Sequence, residues 1–257
     1  MDNSQHIQKA RKSIKERLSV DDLIAKLVKA ADDVEKAENI LFEGVFDVYF
    51  LYFPEAAALL KERESFVAAL SDRLERKDVS EKLKITDDSM GYDLAEEDKS
   101  LLSLQINELK NLSSVRKLIK ERLAEVIRQK YPNLYAVAGE SVAARLIMLS
   151  RGTRKMIMMP ASKIQVLGSE TSLFTGGKVR TPKYGVIFKH PFVEKADQST
   201  RGKIAKVVAS YILLAVKTDT FLGKDKGDEL NNEMKEKINK ISDTKQKSRD
   251  RSNRTAN

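Results

Sequence analysis

Thirteen lysines and arginines fall within residues 145–206, against three acids, Glu170, Glu194 and Asp197. That stretch is +10 in a chain of 257 residues whose total is +9, so everything outside it is close to neutral. Charge spread for solubility would be uniform. Charge gathered in one block is the footprint of a phosphate-backbone partner. Inside the block, Gly176, Gly177, Lys178, Val179 and Arg180 form a glycine-containing basic loop, followed by Thr181, Pro182 and Lys183. Lys178 and Arg180 suit a backbone phosphate, and Pro182 fixes the approach of Lys183.

Other chemistry is excluded by spacing. A nucleotide-binding P-loop needs a glycine five positions before its Gly-Lys and a hydroxyl after the lysine. Those positions are Ser172 and Val179. The two histidines, His6 and His190, stand without cysteine, which the chain lacks, and give neither a metal cluster nor a triad. The carboxylates lie mostly on helix faces, where solvation and i,i+4 pairing account for them. No catalytic, cofactor or metal residue is expected, and the chain reads as a binding protein rather than an enzyme. No apolar run has the length of a membrane span and no signal peptide precedes the first charges, so an intracellular, soluble protein is expected.

The elements that must carry this block read as helices. Residues 1–20 are a basic arm. From Asp21 onward, Leu23, Leu27, Val28, Ala31, Val34, Ile40, Leu41 and Val45 recur at three- and four-residue steps. The helix ends in the aromatic run 46–53 before Pro54, which reads as a core plug. A second helix is predicted over 55–76 and a third over 94–130, with Leu102, Ile106, Leu109, Val115, Ile119, Leu123 and Val126 as its stripe. Asp93 and Glu96 have capping-box spacing. Such narrow stripes suit an antiparallel coiled coil that also uses a partner chain. A short helix is predicted over 142–149. At 184–189, Tyr184, Val186 and Phe188 alternate with Gly185, Ile187 and Lys189, so a strand or short β-hairpin is one option. Helices are predicted over 199–221 and 228–241, and residues 242–257 read as a disordered basic tail.

The order of these motifs resembles the Nop-domain family. The segments that carry the resemblance are GESVAARLIMLSRG (139–152), PASKIQVLGSETSLF (160–174), TGGKVR (175–180), TPKYGVIFKHPFV (181–193) and RGKIAKVVAS (201–210). Upstream, residues 21–57 and SMGYDLAEED (89–98) look like the coiled-coil part of the archaeal box C/D scaffold. The resemblance covers roughly residues 20–240. It implies a mainly α fold, with a coiled-coil dimerisation domain over 21–131 and a helical domain binding RNA and protein over 132–241. It also implies a non-enzymatic scaffold of an RNA 2′-O-methylation guide particle, with a role in rRNA processing. The partners would be a kink-turn guide RNA, the small kink-turn protein of the ribosomal L7Ae type and a second copy of the chain. Location would be cytoplasmic in an archaeon and nucleolar or nuclear in a eukaryote.

On that resemblance the RNA-binding candidates are Lys163, Gly168, Glu170, Lys178, Arg180, Lys183, Lys189, Arg201 and Lys203. The candidates facing the small protein are Val142, Arg145, Leu173, Phe174 and Tyr184. The family usually reads Gly-Ala-Glu-Lys-Ala-Leu-Phe-Arg where this chain has residues 168–175. Gly168, Glu170, Leu173 and Phe174 are kept, while Thr171 and Thr175 replace basic residues. Arg151, Gly152 and Thr153 also depart from the family's small-residue pattern. The family docks the methyltransferase fibrillarin on an additional N-terminal domain that residues 1–20 do not resemble, so fibrillarin docking by these residues is not expected. Two alternatives stay open: a spliceosomal-type Nop protein binding a small nuclear RNA, and a coiled-coil structural protein with a basic face for acidic partners.

Overall fold

The computed structural model describes residues 6, 7, 11, 18–71, 74–85, 88–169 and 184–255, with residues 244–255 described by backbone alone. The described residues are helical and contain no strand. In chain order the helices are α1 (Val20–Tyr52), α2 (Pro54–Leu59), α3 (Arg63–Leu70), α4 (Arg76–Leu83), α5 (Glu96–Lys130), α6 (Pro132–Ser150), α7 (Thr153–Met156) and α8 (Ala161–Val166). A 3₁₀ turn at Val186–Lys189 follows, then α9 (Pro191–Glu194), α10 (Arg201–Lys217), a π turn at Thr218–Leu222 and α11 (Gly227–Thr255). No helix among the described residues is long and apolar enough to cross a membrane.

Two compact units emerge, Lys29–Glu121 and Met1–Val28 together with Arg122–Asn257. The boundary therefore differs from the one read at 131/132. The feet of α1 and α5 belong with the C-terminal unit.

In the unit of residues 29–121 the aromatic run is a core plug, as its composition suggested. Phe66 packs edge-on against Tyr49, with ring centroids 5.2 Å apart, and against Phe42, at 5.4 Å. Tyr49, Phe53, Leu102, Ile106 and Leu109 complete the core. The single helix expected over 55–76 is instead α2 and α3, with α4 beginning at Arg76. Glu62 is extended at ψ 129°, and this break turns the chain so that Ala56, Phe66 and Val79 are all buried. Tertiary burial outweighs local helix propensity here.

The 89–93 tip is fastened to the end of α1. Arg76 donates from Nε and Nη2 to the Tyr52 carbonyl oxygen, at 3.0 and 2.6 Å, and from Nη2 to that of Tyr92, at 2.7 Å. A cation at a helix C-terminus satisfies carbonyls left unbonded by the helix. Gly91 lies so close to that end that a Cβ would stand 2.0 Å from the Tyr52 carbonyl oxygen. The Glu55 carboxylate accepts from the Met90 N–H at 2.9 Å and the Ser89 hydroxyl at 2.8 Å. The bond from the Met90 N–H holds its pKa below the ordinary value. The capping-box reading of Asp93 fails: Asp93 pairs with Arg76 at 2.6 Å, and α5 begins only at Glu96.

Most of the stripe on α5 is consumed inside the chain. Leu102, Ile106 and Leu109 are buried in one unit, and Leu123 and Val126 in the other. Val115 of the stripe instead stays exposed in a row with Leu101, Leu104 and Leu118, at 45, 56, 59 and 63%. These four fall within about 100° on a helix of 3.6 residues per turn.

In the other unit, Asp22 accepts from the Ser19 N–H at 2.8 Å and its hydroxyl at 3.0 Å, half of a capping box, which lowers its pKa. Asp21 accepts from the Tyr131 hydroxyl at 2.5 Å and from the Thr153 N–H and hydroxyl at 2.8 and 2.9 Å. Burial, then the Asp21 contact, pushes the Tyr131 phenol up. Helix α6 is longer than the 142–149 segment predicted and is bent at Gly139, whose φ of 71° suits glycine. Its N-terminus is capped from a distance by Asp219, which accepts from the N–H groups of Asn133 and Leu134 at 3.0 and 2.9 Å. The alternation at 184–189 produces the 3₁₀ turn rather than a strand, because no neighbouring strand is there to complete a ladder among the described residues. Helix α11 runs on through residue 255, over the stretch read as a disordered tail.

Candidate nucleic-acid interface

Residues 165–169 and 184–186 meet in a narrow neck. Residues 170–183 lie outside the described residues, so Glu170, Leu173, Phe174, Lys178, Arg180 and Lys183 are not placed. Both ends of that segment are. The Gly185 N–H donates to the Gln165 carbonyl oxygen at 3.0 Å, and the Val186 N–H to that of Leu167 at 2.8 Å. A Cβ on Gly185 would stand 1.8 Å from the Leu167 carbonyl oxygen, so the two sides of the neck meet only because that residue is glycine. Gly168 turns with φ +85°, and a Cβ there would strike Val186 at 2.8 Å and Leu149 at 2.9 Å. Gly168 is thus a structural residue of the neck. Ser169 donates its hydroxyl to the Val166 carbonyl oxygen at 2.5 Å.

Beneath the neck, the 3₁₀ turn packs on α6, α8, α9 and α10. His190 secures it. Its ring accepts at Nδ1 from the Phe192 N–H at 3.3 Å, and Nε2 lies 2.9 Å from the Val137 carbonyl oxygen. A carbonyl only accepts, so the proton sits on Nε2 and the ring is neutral. Burial lowers its pKa, against the Val137 hydrogen bond, which raises it. His190 is thus a structural residue under the neck.

Arg201, expected on RNA, is half-buried and bonded locally. Nε and Nη2 donate to the Ala196 carbonyl oxygen at 3.1 and 2.7 Å, and the guanidinium lies 5.4 Å from the Phe188 ring centroid. Phe188 in turn stacks at 6.1 Å from Tyr184, which is half-buried. Arg201 therefore braces the platform beside the neck. Val142, expected to face a partner protein, is 3% exposed and belongs to the core of its own unit. Its apolar side chain sits on the inward face of α6, which the short sequence window did not reveal. Arg145 is half-buried and already engaged. Lys163 on α8, Lys189 on the 3₁₀ turn and Lys203 on α10 are exposed, on elements that pack on one another. Three ammonium groups beside the neck of a basic loop make a surface for polyanion backbone. Among the described residues no group of three His, Cys, Asp or Glu gathers for a metal.

Comparison with known proteins agrees with this architecture. The family model described as "snoRNA binding domain, fibrillarin", the Nop model, matches residues 30–242. The chain belongs to the Nop family. A NOP5 family protein of Methanocaldococcus jannaschii is 33% identical over 236 residues, 86% of this chain and 56% of that protein. Nucleolar protein 58 of Schizosaccharomyces pombe is 30% identical over 222 residues, 80% of this chain and 44% of that protein. The chain thus spans about half the length of these curated relatives. A solved fibrillarin/NOP5p complex contains a chain with the same fold, at a TM-score of 0.57 and 21% identity, covering 93% of this chain and 80% of that one.

Proposed function

We propose that this chain is a scaffold of a box C/D-type RNA 2′-O-methylation guide particle, which binds a kink-turn RNA together with the small kink-turn protein. The observation that supports it is the neck at 165–169 and 184–186, which joins elements of a Nop domain that carry exposed Lys163 and Lys189 and packs against the helix that carries exposed Lys203. Phosphates would be gripped by these cations and by Lys178, Arg180 and Lys183, and recognition would go by backbone and shape. Leu173 and Phe174 would meet the small protein. The chain would be a homodimer, the exposed Leu101, Leu104, Val115 and Leu118 row of α5 packing on a second copy. It would serve in the nucleolus in a eukaryote and in the cytoplasm in an archaeon. Fibrillarin, named with the structural neighbour, would be the methyltransferase of the particle.

Titrating a labelled kink-turn RNA with this chain, with and without the small protein already bound, tests the composite surface. The reading expects the preformed complex to bind at least about tenfold more tightly, a difference of about 1.4 kcal/mol. Equal affinity for the two would contradict it.

A further inference from the structure

Helix α6 closes in an unusual way. Arg151 follows Ser150 in the left-handed region, at φ 58° and ψ 43°. The Gly152 N–H donates to the Ile147 carbonyl oxygen at 2.9 Å, and the Arg151 N–H to that of Met148 at 3.1 Å. This pair of bonds is a Schellman closure, with Arg151 at the position where glycine is favoured. The chain does carry a glycine, one residue later, at Gly152 with φ +105°. A Cβ in this conformation is disfavoured whatever the rest of the side chain does.

The Arg151 side chain is exposed, and so are those of Arg154 and Lys155 on α7. None of the three has a hydrogen-bond, ion-pair or ring partner among the described residues, whereas Arg63, Arg76, Arg116 and Arg201 are each engaged. The nearby acid is Asp21, which a Cβ on Gly152 would approach to 3.0 Å. Its oxygens already accept from Tyr131 and from Thr153, which fixes the corner in place. The corner also adjoins the neck. Leu149, two residues before Arg151, is the side chain that a Cβ on Gly168 would strike.

We infer that Arg151, Arg154 and Lys155 form a second phosphate-gripping patch on the RNA-binding face, continuous with the root of the basic loop. The inference rests on the RNA-binding function proposed above. Protein interfaces centre on aromatic or aliphatic anchors. Residues 151–155 expose none, since Thr153 is buried and the others are glycine or cations. Cations held on a rigid corner without acidic partners suit a polyanion backbone.

The test uses the full chain and a fluorescent kink-turn RNA carrying its small protein, titrated at several salt concentrations. Arg151→Ala, Arg154→Ala and Lys155→Ala together should lower the slope of log K against log salt by about two to three units, at roughly 0.7–0.9 per phosphate contact. Arg151→Gly alone should lower it by about 0.8 while raising the melting temperature by about 2 °C, because it relieves the left-handed Cβ. The single variant keeps the question decidable should the triple variant fold poorly. Unchanged slopes in both variants would overturn the patch. If the triple variant of Lys178, Arg180 and Lys183 still lowers the slope, the functional proposal stands and the patch alone falls. A flat slope for the unmutated chain would remove both. Loss of binding to the small protein without RNA, at an unchanged RNA slope, would make the corner a protein contact and also overturn the patch.

Discussion

The Nε2 of His190 lies 2.9 Å from the Val137 carbonyl oxygen, so the 3₁₀ turn under the loop neck is pinned to α6 by a neutral imidazole. Burial depresses its pKa below the unfolded value of about 6.5. The contribution of His190 to stability is therefore full above about pH 6.5 and is lost as pH falls toward the folded pKa. The melting temperature of the unmutated chain should drop between about pH 7 and 5.5, and His190→Gln should be flatter over that window. An NMR titration of His190 with a midpoint at or above about 6.5, the free-imidazole value, would contradict this.

Glu38 is fully buried between two guanidinium groups, 3.2 Å from Arg63 Nη2 and 3.0 Å from Arg116 Nε. It joins α1, α3 and α5 in the unit of residues 29–121. Glu38→Ala leaves both arginines facing a cavity and should destabilise that unit by about 3 kcal/mol. Replacing Glu38, Arg63 and Arg116 together by methionine should recover most of the loss, since packed apolar groups substitute well for a buried charge cluster. Urea unfolding checks both, and a cost below about 1 kcal/mol for Glu38→Ala, within the range of an exposed pair, would place little weight on the cluster.

Leu104 and Leu118 separate dimerisation from folding. Both are exposed within the protomer, whereas Leu109 is 0% exposed. Leu104→Asp with Leu118→Asp should give a monomer in light scattering with unchanged helical circular dichroism. Leu109→Asp should instead unfold the unit of residues 29–121, because an unpaired buried carboxylate costs several kcal/mol. A dimer that survives the double change would move the interface off this row of α5.

The long helices, their approximate ends and the aromatic plug were legible because apolar spacing and Pro54 encode them locally. The breaks around Glu62 and the feet of α1 and α5 joining the C-terminal unit were not, since they depend on what Phe66, Arg63 and Asp21 meet far along the chain. The α5 stripe was visible, but periodicity alone could not tell that Leu102, Ile106 and Leu109 would be used within the chain while Leu101 and Leu104 stayed out. At the site, the basic block was plain from charge. Residue type does not reveal that the Arg201 guanidinium will be held by the Ala196 carbonyl, or that Val142 will face inward. Gly185 carried a usable signal: a glycine between the bulky Tyr184 and Val186 suits a close backbone approach.

The most direct measurement is the salt dependence of binding to the kink-turn RNA with its small protein in place. Replacing Lys178, Arg180 and Lys183 together by alanine should reduce the slope of log K against log salt by up to about three units, roughly 0.9 for each contact in duplex and less in single strands. An unchanged slope, in a variant with the unmutated melting temperature, would place the RNA elsewhere and contradict the loop's role.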